Sequence, residues 1–258
     1  MPSEFVAVID EAGCSGDKFE SGSSEYLAMG ACIYRNVNAE NVLDVFDEAR
    51  IERQKSPDQM FKKFSKSSDK DRFVLTRLLG RKPIKVSWVG FHKPSLQETF
   101  IRKNHGSEYN YLLKFILERI SWAARDADPQ GDHKCDIVLS SQKMYPFETT
   151  LQYIERLRRG IGRYNTRANW EHIGEFSHRP HENEQDTHIA DITASAFHMA
   201  IEPKEHQMTD ERFLMNLGSR LYRGNNNRPH GLKLWPDEAV RPAIEQGRLR
   251  FVGAFETD

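Results

Sequence analysis

The stretch FVAVIDEAGCSG, residues 5 to 16, decides the fold that the sequence predicts. Its first part, Phe5 to Ile9, is a continuous apolar run, which is typical of a buried central strand. Asp10 and Glu11 follow at the carboxyl end of that strand, and Gly13 then begins a turn. In α/β sheets, ligands bind outside the carboxyl ends of the strands, so the two acids lie where a functional site is expected. The alternative is a purely structural turn, because Asp and Gly are also ordinary turn residues.

Outward from this strand, the sequence predicts an alternation of strands and helices. Apolar runs and helical spacing predict the following elements: strands over 26–34, 84–91, 135–139 and 170–176, and helices over 39–53, 71–79, from 107 to about 126, 146–159, 186–201 and about 209–222. This order is typical of an α/β domain in which helices cover a mixed sheet. We expect one domain over residues 1–258, with a C-terminal extension from about residue 203. Within that extension the apolar run Leu249 to Phe255 can dock as an edge strand, and the polar, basic segment Ser56 to Lys70 is expected to be a surface loop.

The composition limits the class of protein and its partners. With 38% apolar and 29% charged residues, the chain lies in the globular range. The 37 basic and 38 acidic side chains leave a formal charge of -1, which excludes a partner held by net charge alone. The three cysteines are odd in number and far apart, so they support neither a disulfide framework nor a cysteine zinc site. No stretch approaches the ~18 apolar residues of a membrane span, and we therefore expect a cytoplasmic protein with no membrane partner.

The most informative later residue is Asp191, because the helix that carries it is apolar almost all round. At 100° per residue, His188, Asp191, Ser195 and His198 form one narrow polar stripe on this helix. Burying an ionised carboxylate is costly unless it is paired with a cation or coordinates a metal. Asp191 is therefore either a functional acid or one half of a structural salt bridge.

Three motifs in the chain together resemble a known family. They are VIDEAGCSG at Val8 to Gly16, KFSK at Lys63 to Lys66 and HIADITASA at His188 to Ala196. Their order is similar to that of the bacterial family called domain of unknown function 3800, which has an N-terminal Asp-Glu-Ser-Gly turn, a Lys-Phe-Ser segment and a Leu-Ala-Asp helix. That family looks like a member of the ribonuclease-H-like superfamily. The resemblance implies a mixed five-stranded sheet flanked by helices.

The resemblance also implies a metal-dependent site. In that superfamily a first-strand acid and a late-helix acid converge on a divalent ion, and these roles carry over to Asp10 and Asp191 as ligands of Mg²⁺ or Mn²⁺. Glu11 matches the second acid of the turn, and Lys63 matches the lysine of the middle motif, where it can contact phosphate. Magnesium prefers oxygen ligands and keeps several waters, so one or two carboxylates plus a substrate phosphate suffice to hold it.

The chain departs from the family pattern at two acidic positions. Members of the family commonly carry an acid late in the strand that corresponds to Cys135 to Leu139, whereas here Asp136 stands near its start. The acid commonly found just before the middle lysine is missing. Glu118 and Glu175 are the residues that can compensate.

A basic segment offers a candidate contact with nucleic acid. Arg156, Arg159 and Arg163 lie close to Tyr164 and Trp170, and arginines and aromatic rings are the side chains that grip phosphates and stack on bases. The alternative is a solvated helix face whose arginines lie along apolar surface. A second basic cluster lies at residues 62 to 70.

These observations lead to two functional hypotheses. The first is a metal-dependent nuclease or related phosphodiester-processing enzyme, with Asp10, Glu11 and Asp191 as catalytic residues and Lys63, Arg156, Arg159 and Arg163 as substrate-binding residues. The second is a nucleic-acid-binding or partner-binding module on the same fold that has lost catalysis.

Overall fold

The computed structural model describes residues 3–96, 107–129, 133–141, 146–160, 162, 164–180, 185–204 and 208–257. Within these residues six strands form one mixed sheet in the order β5-β4-β1-β2-β3-β6. The strands are β1 (Phe5–Ala12), β2 (Tyr26–Arg35), β3 (Ile84–His92), β4 (Cys135–Ser140), β5 (Ile173–Arg179) and β6 (Leu232–Trp235). The predicted α/β class with a mixed sheet is therefore confirmed, and the sheet has one strand more than the five that the family resemblance implies.

The first strand lies inside the sheet, as its apolar run predicts. It pairs antiparallel with β2 and parallel with β4, and β2 in turn pairs antiparallel with β3. The two outer strands are parallel to their neighbours, β5 to β4 and β6 to β3.

Helices cover both faces of the sheet. They are α1 (Ala39–Leu43), α2 (Val45–Glu52), α3 (Asp69–Leu79), α4 (Ser107–Ala127), α5 (Phe147–Arg159), α6 (Gln185–Ile201), α7 (Arg212–Leu217), α8 (Asp237–Glu245) and α9 (Phe251–Thr257). The pleat of β1 divides its side chains between two cores. Phe5, Ala7 and Ile9 pack with the apolar side of α4, whereas Val8 packs with α6 on the other face.

The expectation of an edge strand at Leu249 to Phe255 is wrong. Phe251 and Phe255 are four residues apart and lie on one side of helix α9, where the ring of Phe255 stacks on Trp88 at 6.1 Å between centroids. The edge strand of the C-terminal extension is instead β6, which joins the sheet beside β3. Two expected helices are also divided: residues 39–53 form α1 and α2, separated at Asp44, and residues 209–222 contain only the short α7 followed by a 3₁₀ turn.

The segment Ser56 to Lys70 differs from the expected surface loop, because two of its aromatic residues belong to the core. Phe61 and Phe64 are buried, and the ring of Phe64 meets Phe213 edge to face at 5.7 Å. The lysines around them stay exposed. The segment is therefore anchored to the layer that contains α6.

Over the described ranges, no helix has both the length and the apolar character needed to cross a membrane.

Candidate functional site

Asp10 stands on the face of the sheet that α6 covers. It has the same parity along β1 as Val8, whose side chain belongs to the α6 core, and it is only 4% exposed. Its carboxylate accepts a hydrogen bond from the backbone N–H of Glu11 at 3.0 Å. The first acid of the turn is therefore directed towards the helix that carries Asp191.

The backbone of α6 comes very close to the sheet beside Asp10. Asp10 pairs with Gly30 on β2, and Gly30 pairs with Trp88 on β3. A Cβ atom added at Gly30 would lie 2.7 Å from the Cα and N atoms of Ala194, and the indole N–H of Trp88 donates to the carbonyl of Thr193 at 3.0 Å. With a rise of ~1.5 Å per residue, Asp191 lies only about 3 to 5 Å earlier along the helix axis than this contact. Helix packing therefore brings Asp10 and Asp191 to the same part of one layer.

Both carboxylate oxygens of Asp191 are engaged. The backbone N–H of Phe64 donates to Oδ2 at 2.8 Å, and the hydroxyl of Ser195, one turn later on α6, donates to Oδ1 at 2.8 Å. Asp191 is 7% exposed, so the segment around Phe64 covers it from solvent. The middle and late motifs of the sequence therefore meet through a main-chain hydrogen bond.

Glu11 and Lys63 lie at the edge of this region. The alternation of β1 directs Glu11 to the face opposite Asp10, in register with Met29. Burial raises the pKa of the Glu11 carboxyl well above its usual range, the negative charge of Asp10 raises it further, and the positive charge of Lys63 acts against both. The exposed Lys63 is thus near enough to the end of β1 to act on Glu11.

The polar stripe of α6 ends at His198, whose partner Glu202 the sequence analysis did not single out. The ring of His198 lies 3.3 Å from the carbonyl oxygen of Tyr26 and 3.5 Å from the carboxyl of Glu202. Glu202 accepts the backbone N–H groups of Glu25 and Tyr26 at 2.8 Å each, so it holds the start of β2. The signal was the i, i+4 spacing of Glu202 after His198, at the end of the predicted helix.

The carboxylates of Asp10 and Asp191 are the metal-binding groups that this region offers. Among the residues that the structure describes, no group of three or more His, Cys, Asp or Glu side chains is arranged to hold an ion. Asp10 and Asp191 are two buried carboxylates in one layer, and carboxylate oxygens are ligands that Mg²⁺ and Mn²⁺ accept. They fit a divalent ion that takes its remaining ligands from water and substrate.

The residues considered as substitutes for a third acid lie elsewhere. Asp136 accepts the hydroxyl of Ser3 at 2.7 Å and the backbone N–H of Glu175 at 2.9 Å, which ties β4 to β5. The side chain of Glu175 is exposed. Glu118 is on α4, on the other side of the sheet from Asp191, where it accepts the backbone N–H of Arg167 at 2.9 Å. The structure therefore does not bring them to Asp10 and Asp191.

The arginines of α5 are also on the side of the sheet opposite Asp10 and Asp191, because Ile154 of α5 packs into the core beneath α4. Arg156 donates to the hydroxyl of Tyr164 at 3.2 Å, and Arg159 pairs with Glu155 at 3.0 Å. Arg163 lies outside the described residues. Arg156 and Arg159, two of the predicted substrate-binding residues, therefore do not lie beside Asp10 and Asp191, whereas the structure places Lys63 near the end of β1.

The geometry thus joins the first, middle and late motifs of the sequence in one layer. No protein-family model, curated protein or solved structure matches the chain, so membership of the family suggested by those motifs stays a prediction.

Proposed function

We propose that the chain is a metal-dependent phosphodiesterase of ribonuclease-H-like fold that acts on nucleic acid. The observation that carries this proposal is the placement of Asp10 and Asp191, both buried, on one face of the sheet where α6 contacts β2. A strand-end carboxylate and a helix carboxylate on one face are the arrangement that the three motifs predict.

In this proposal the carboxylates of Asp10 and Asp191 hold a Mg²⁺ or Mn²⁺ ion. A bound ion of this kind lowers the pKa of a coordinated water and stabilises charge on the phosphate oxygens. Ser195 and the backbone N–H of Phe64 fix the orientation of the Asp191 carboxylate, because they bond to one oxygen each. Lys63 supplies a positive charge at the rim of the site, where it can contact the scissile phosphate of the nucleic acid.

Glu11 is not a ligand in this geometry, because the alternation of β1 directs it to the face opposite Asp10. We assign it no contact with the ion, and Glu11→Gln is expected to retain metal binding.

The test is metal-dependent cleavage of labelled RNA, DNA and hybrid duplexes, with Mg²⁺ or Mn²⁺ and then with EDTA. We expect cleavage that EDTA stops and that the double variant Asp10→Asn, Asp191→Asn loses. Asp58→Asn, a change of the same kind at an exposed position of the 56–70 segment, is the matched control and retains cleavage. Calorimetric titration with Mn²⁺ gives a second readout, in which the double variant binds the ion more weakly than the control.

The proposal fails if no metal-dependent cleavage occurs, or if the double variant cleaves as fast as the protein with Asp58→Asn. Thermal unfolding of each variant shows whether a loss of cleavage reflects a loss of the fold.

A specific observation favours the second candidate, a nucleic-acid-binding module without catalysis. On α5 the guanidinium of Arg158 lies over the rings of Trp170 and Phe176 at 5.3 and 5.6 Å, and that of Arg156 lies over Tyr164 at 5.5 Å. Arg156, Arg158 and Phe176 border an open pocket of about 520 Å³. Salt-dependent binding that Arg158→Gln weakens, in a protein that cleaves none of the substrates, would support this candidate over the first.

A further inference from the structure

A pocket of about 490 Å³ lies on the side of the sheet opposite Asp10 and Asp191. Its walls come from helix α4, from the segment 165–167 and from strand β6. Four cationic residues line it: Lys114, Arg119, Arg167 and Lys233. Lys233 has the same parity along β6 as Trp235, which packs with the α4 core, so its side chain is directed to this face.

Arg119 is the deepest of these cations, and part of its guanidinium lacks a partner. The residue is 7% exposed, and its Nε atom has no hydrogen-bond acceptor among the described residues. One terminal nitrogen donates to the carbonyl of Phe115 at 2.8 Å, and the guanidinium carbon lies 5.9 Å from the ring of Phe115 and 5.5 Å from that of Trp122. Arg119 therefore places a fixed and largely buried positive charge in the wall of the pocket, although its Nε atom is itself closed off from solvent.

The charge in the pocket is mainly positive. Glu118 is the one carboxylate among the described residues that line the pocket, and it is already used: it accepts the hydroxyl of Thr166 at 3.1 Å and the backbone N–H of Arg167 at 2.9 Å, and it pairs with a terminal nitrogen of Arg119 at 3.8 Å. Burial lowers the pKa of Arg119 to about 10, although the charge of Glu118 acts in the opposite direction. Burial also lowers the pKa of Lys233, and the positive charge of Arg119 lowers it further. The cations therefore repel one another, and an anion between them removes that repulsion.

We propose that this pocket binds the phosphate group of an organic phosphate ester. Arg119 supplies the buried charge, Lys114 and Lys233 are half-buried, and Arg167 is exposed at the rim. The pocket volume lies within the range of small-molecule sites and exceeds what a bare phosphate fills. The rings of Phe115 and Trp122 supply an apolar wall for the organic part. The site is independent of the proposed nuclease function, since it lies on the other face of the sheet.

Two sources can present this chemistry: a free phosphate ester such as a mononucleotide, or the backbone of a nucleic-acid strand. Isothermal titration of the full chain with inorganic phosphate, with adenosine monophosphate and with a short oligonucleotide that lacks terminal phosphates separates them. Tighter binding of the mononucleotide than of the oligonucleotide identifies a small-molecule site. The reverse order identifies a site for backbone phosphate.

The variants Lys114→Gln and Lys233→Gln test the pocket itself. Each is expected to weaken binding of the preferred phosphate about tenfold, equivalent to about 1.4 kcal/mol, because each removes one charge-assisted contact. Lys85→Gln, at an exposed position of β3, is the matched control and leaves the affinity unchanged. The double variant Asp10→Asn, Asp191→Asn also keeps the affinity, which separates this site from the proposed catalytic one.

Absence of binding by all three probes overturns the proposal. An equal loss of affinity in Lys85→Gln and Lys233→Gln also overturns it, because the effect would then reflect net charge and not the pocket. Thermal unfolding confirms that the lysine variants remain folded at the temperature of the titration.

Discussion

Replacing Gly30 by alanine tests the contact that places Asp191 near Asp10. Gly30 lies opposite Asp10 on β2, and a Cβ atom at this position would meet the Cα and N atoms of Ala194 at 2.7 Å and the carbonyl carbon of Thr193 at 3.0 Å. These are backbone atoms of α6, so no side chain can rotate away to make room. Ordinary contacts between such atoms are about 3.5 to 4.0 Å, and the helix must therefore move away from the sheet by roughly 1 Å.

The expected cost follows from this displacement. Overpacking of a well-packed core destabilises proteins by about 1 to 3 kcal/mol, and three backbone contacts place Gly30→Ala at about 2 to 3 kcal/mol. For a chain of this size the midpoint of thermal unfolding falls by about 4 to 10 °C. The movement also shifts Asp191 away from Asp10, so metal-dependent cleavage, if present, falls more than stability alone explains. Urea unfolding followed by circular dichroism measures the first effect, and the cleavage assay measures the second.

Gly253→Ala in α9 is the matched control, because a Cβ atom there has nothing within 4 Å. The same chemical change is expected to leave stability unchanged or to raise it by up to about 1 kcal/mol, since alanine favours the helix. A Gly30→Ala protein within about 0.5 kcal/mol of the parent would refute the close packing of α6 on β2.

Three further predictions concern other parts of this layer. Desolvation raises the pKa of the Cys14 thiol, but hydrogen bonds from Ser24 outweigh it and bring the pKa to about 7. The rate of Cys14 alkylation by iodoacetamide should therefore be half-maximal near pH 7 and level off about one pH unit higher, and a rate still rising steeply at pH 9 would contradict this. Burial lowers the pKa of His198 from 6.5 to about 4, so as the pH falls the unfolded chain takes up a proton before the folded one does. The free energy of unfolding is therefore intact above pH 6.5 and decreases by up to about 3 kcal/mol between pH 6.5 and 4. Urea unfolding measures this pH dependence, and His198→Gln should reduce it. Trp88→Phe removes the hydrogen bond to the carbonyl of Thr193 and leaves a small cavity. We therefore expect the free energy of unfolding, measured with urea, to fall by about 2 to 3 kcal/mol. A decrease below about 1 kcal/mol would show that this bond does not hold α6.

The sequence predicted the parts of the fold that depend on local pattern. The apolar run before Asp10 indicates a central strand because only a strand with both faces covered tolerates it, and the structure confirms this. The helix that contains Asp191 was also predicted nearly to the residue, since its apolar surface leaves few alternatives. Both elements are specified by residues close together in the chain.

The parts that were missed depend on contacts between distant residues. The apolar run around Phe255 predicted a strand. The ring of Phe255 instead stacks on Trp88, and that contact favours a helix in this segment. Arg156 and Arg159 were predicted to bind the substrate that Asp10 and Asp191 would act on, because arginines contact phosphates in nucleases. The crossover from β4 places α5 on the other face of the sheet, a choice that no local pattern in the arginine segment reveals.

The hydrogen bond from the backbone of Phe64 to Asp191 has a consequence for how this region tolerates change. Because the donor is a main-chain N–H, every residue except proline can supply it at position 64. The exposed side chains on either side, including Lys63 and Ser65, can therefore be replaced to suit a different bound molecule while the carboxylate stays oriented. Variation at the exposed positions 62, 63, 65 and 66 changes what the site accepts at its rim, whereas Phe64 is fixed by its packing in the core and a proline there releases the acid beneath it.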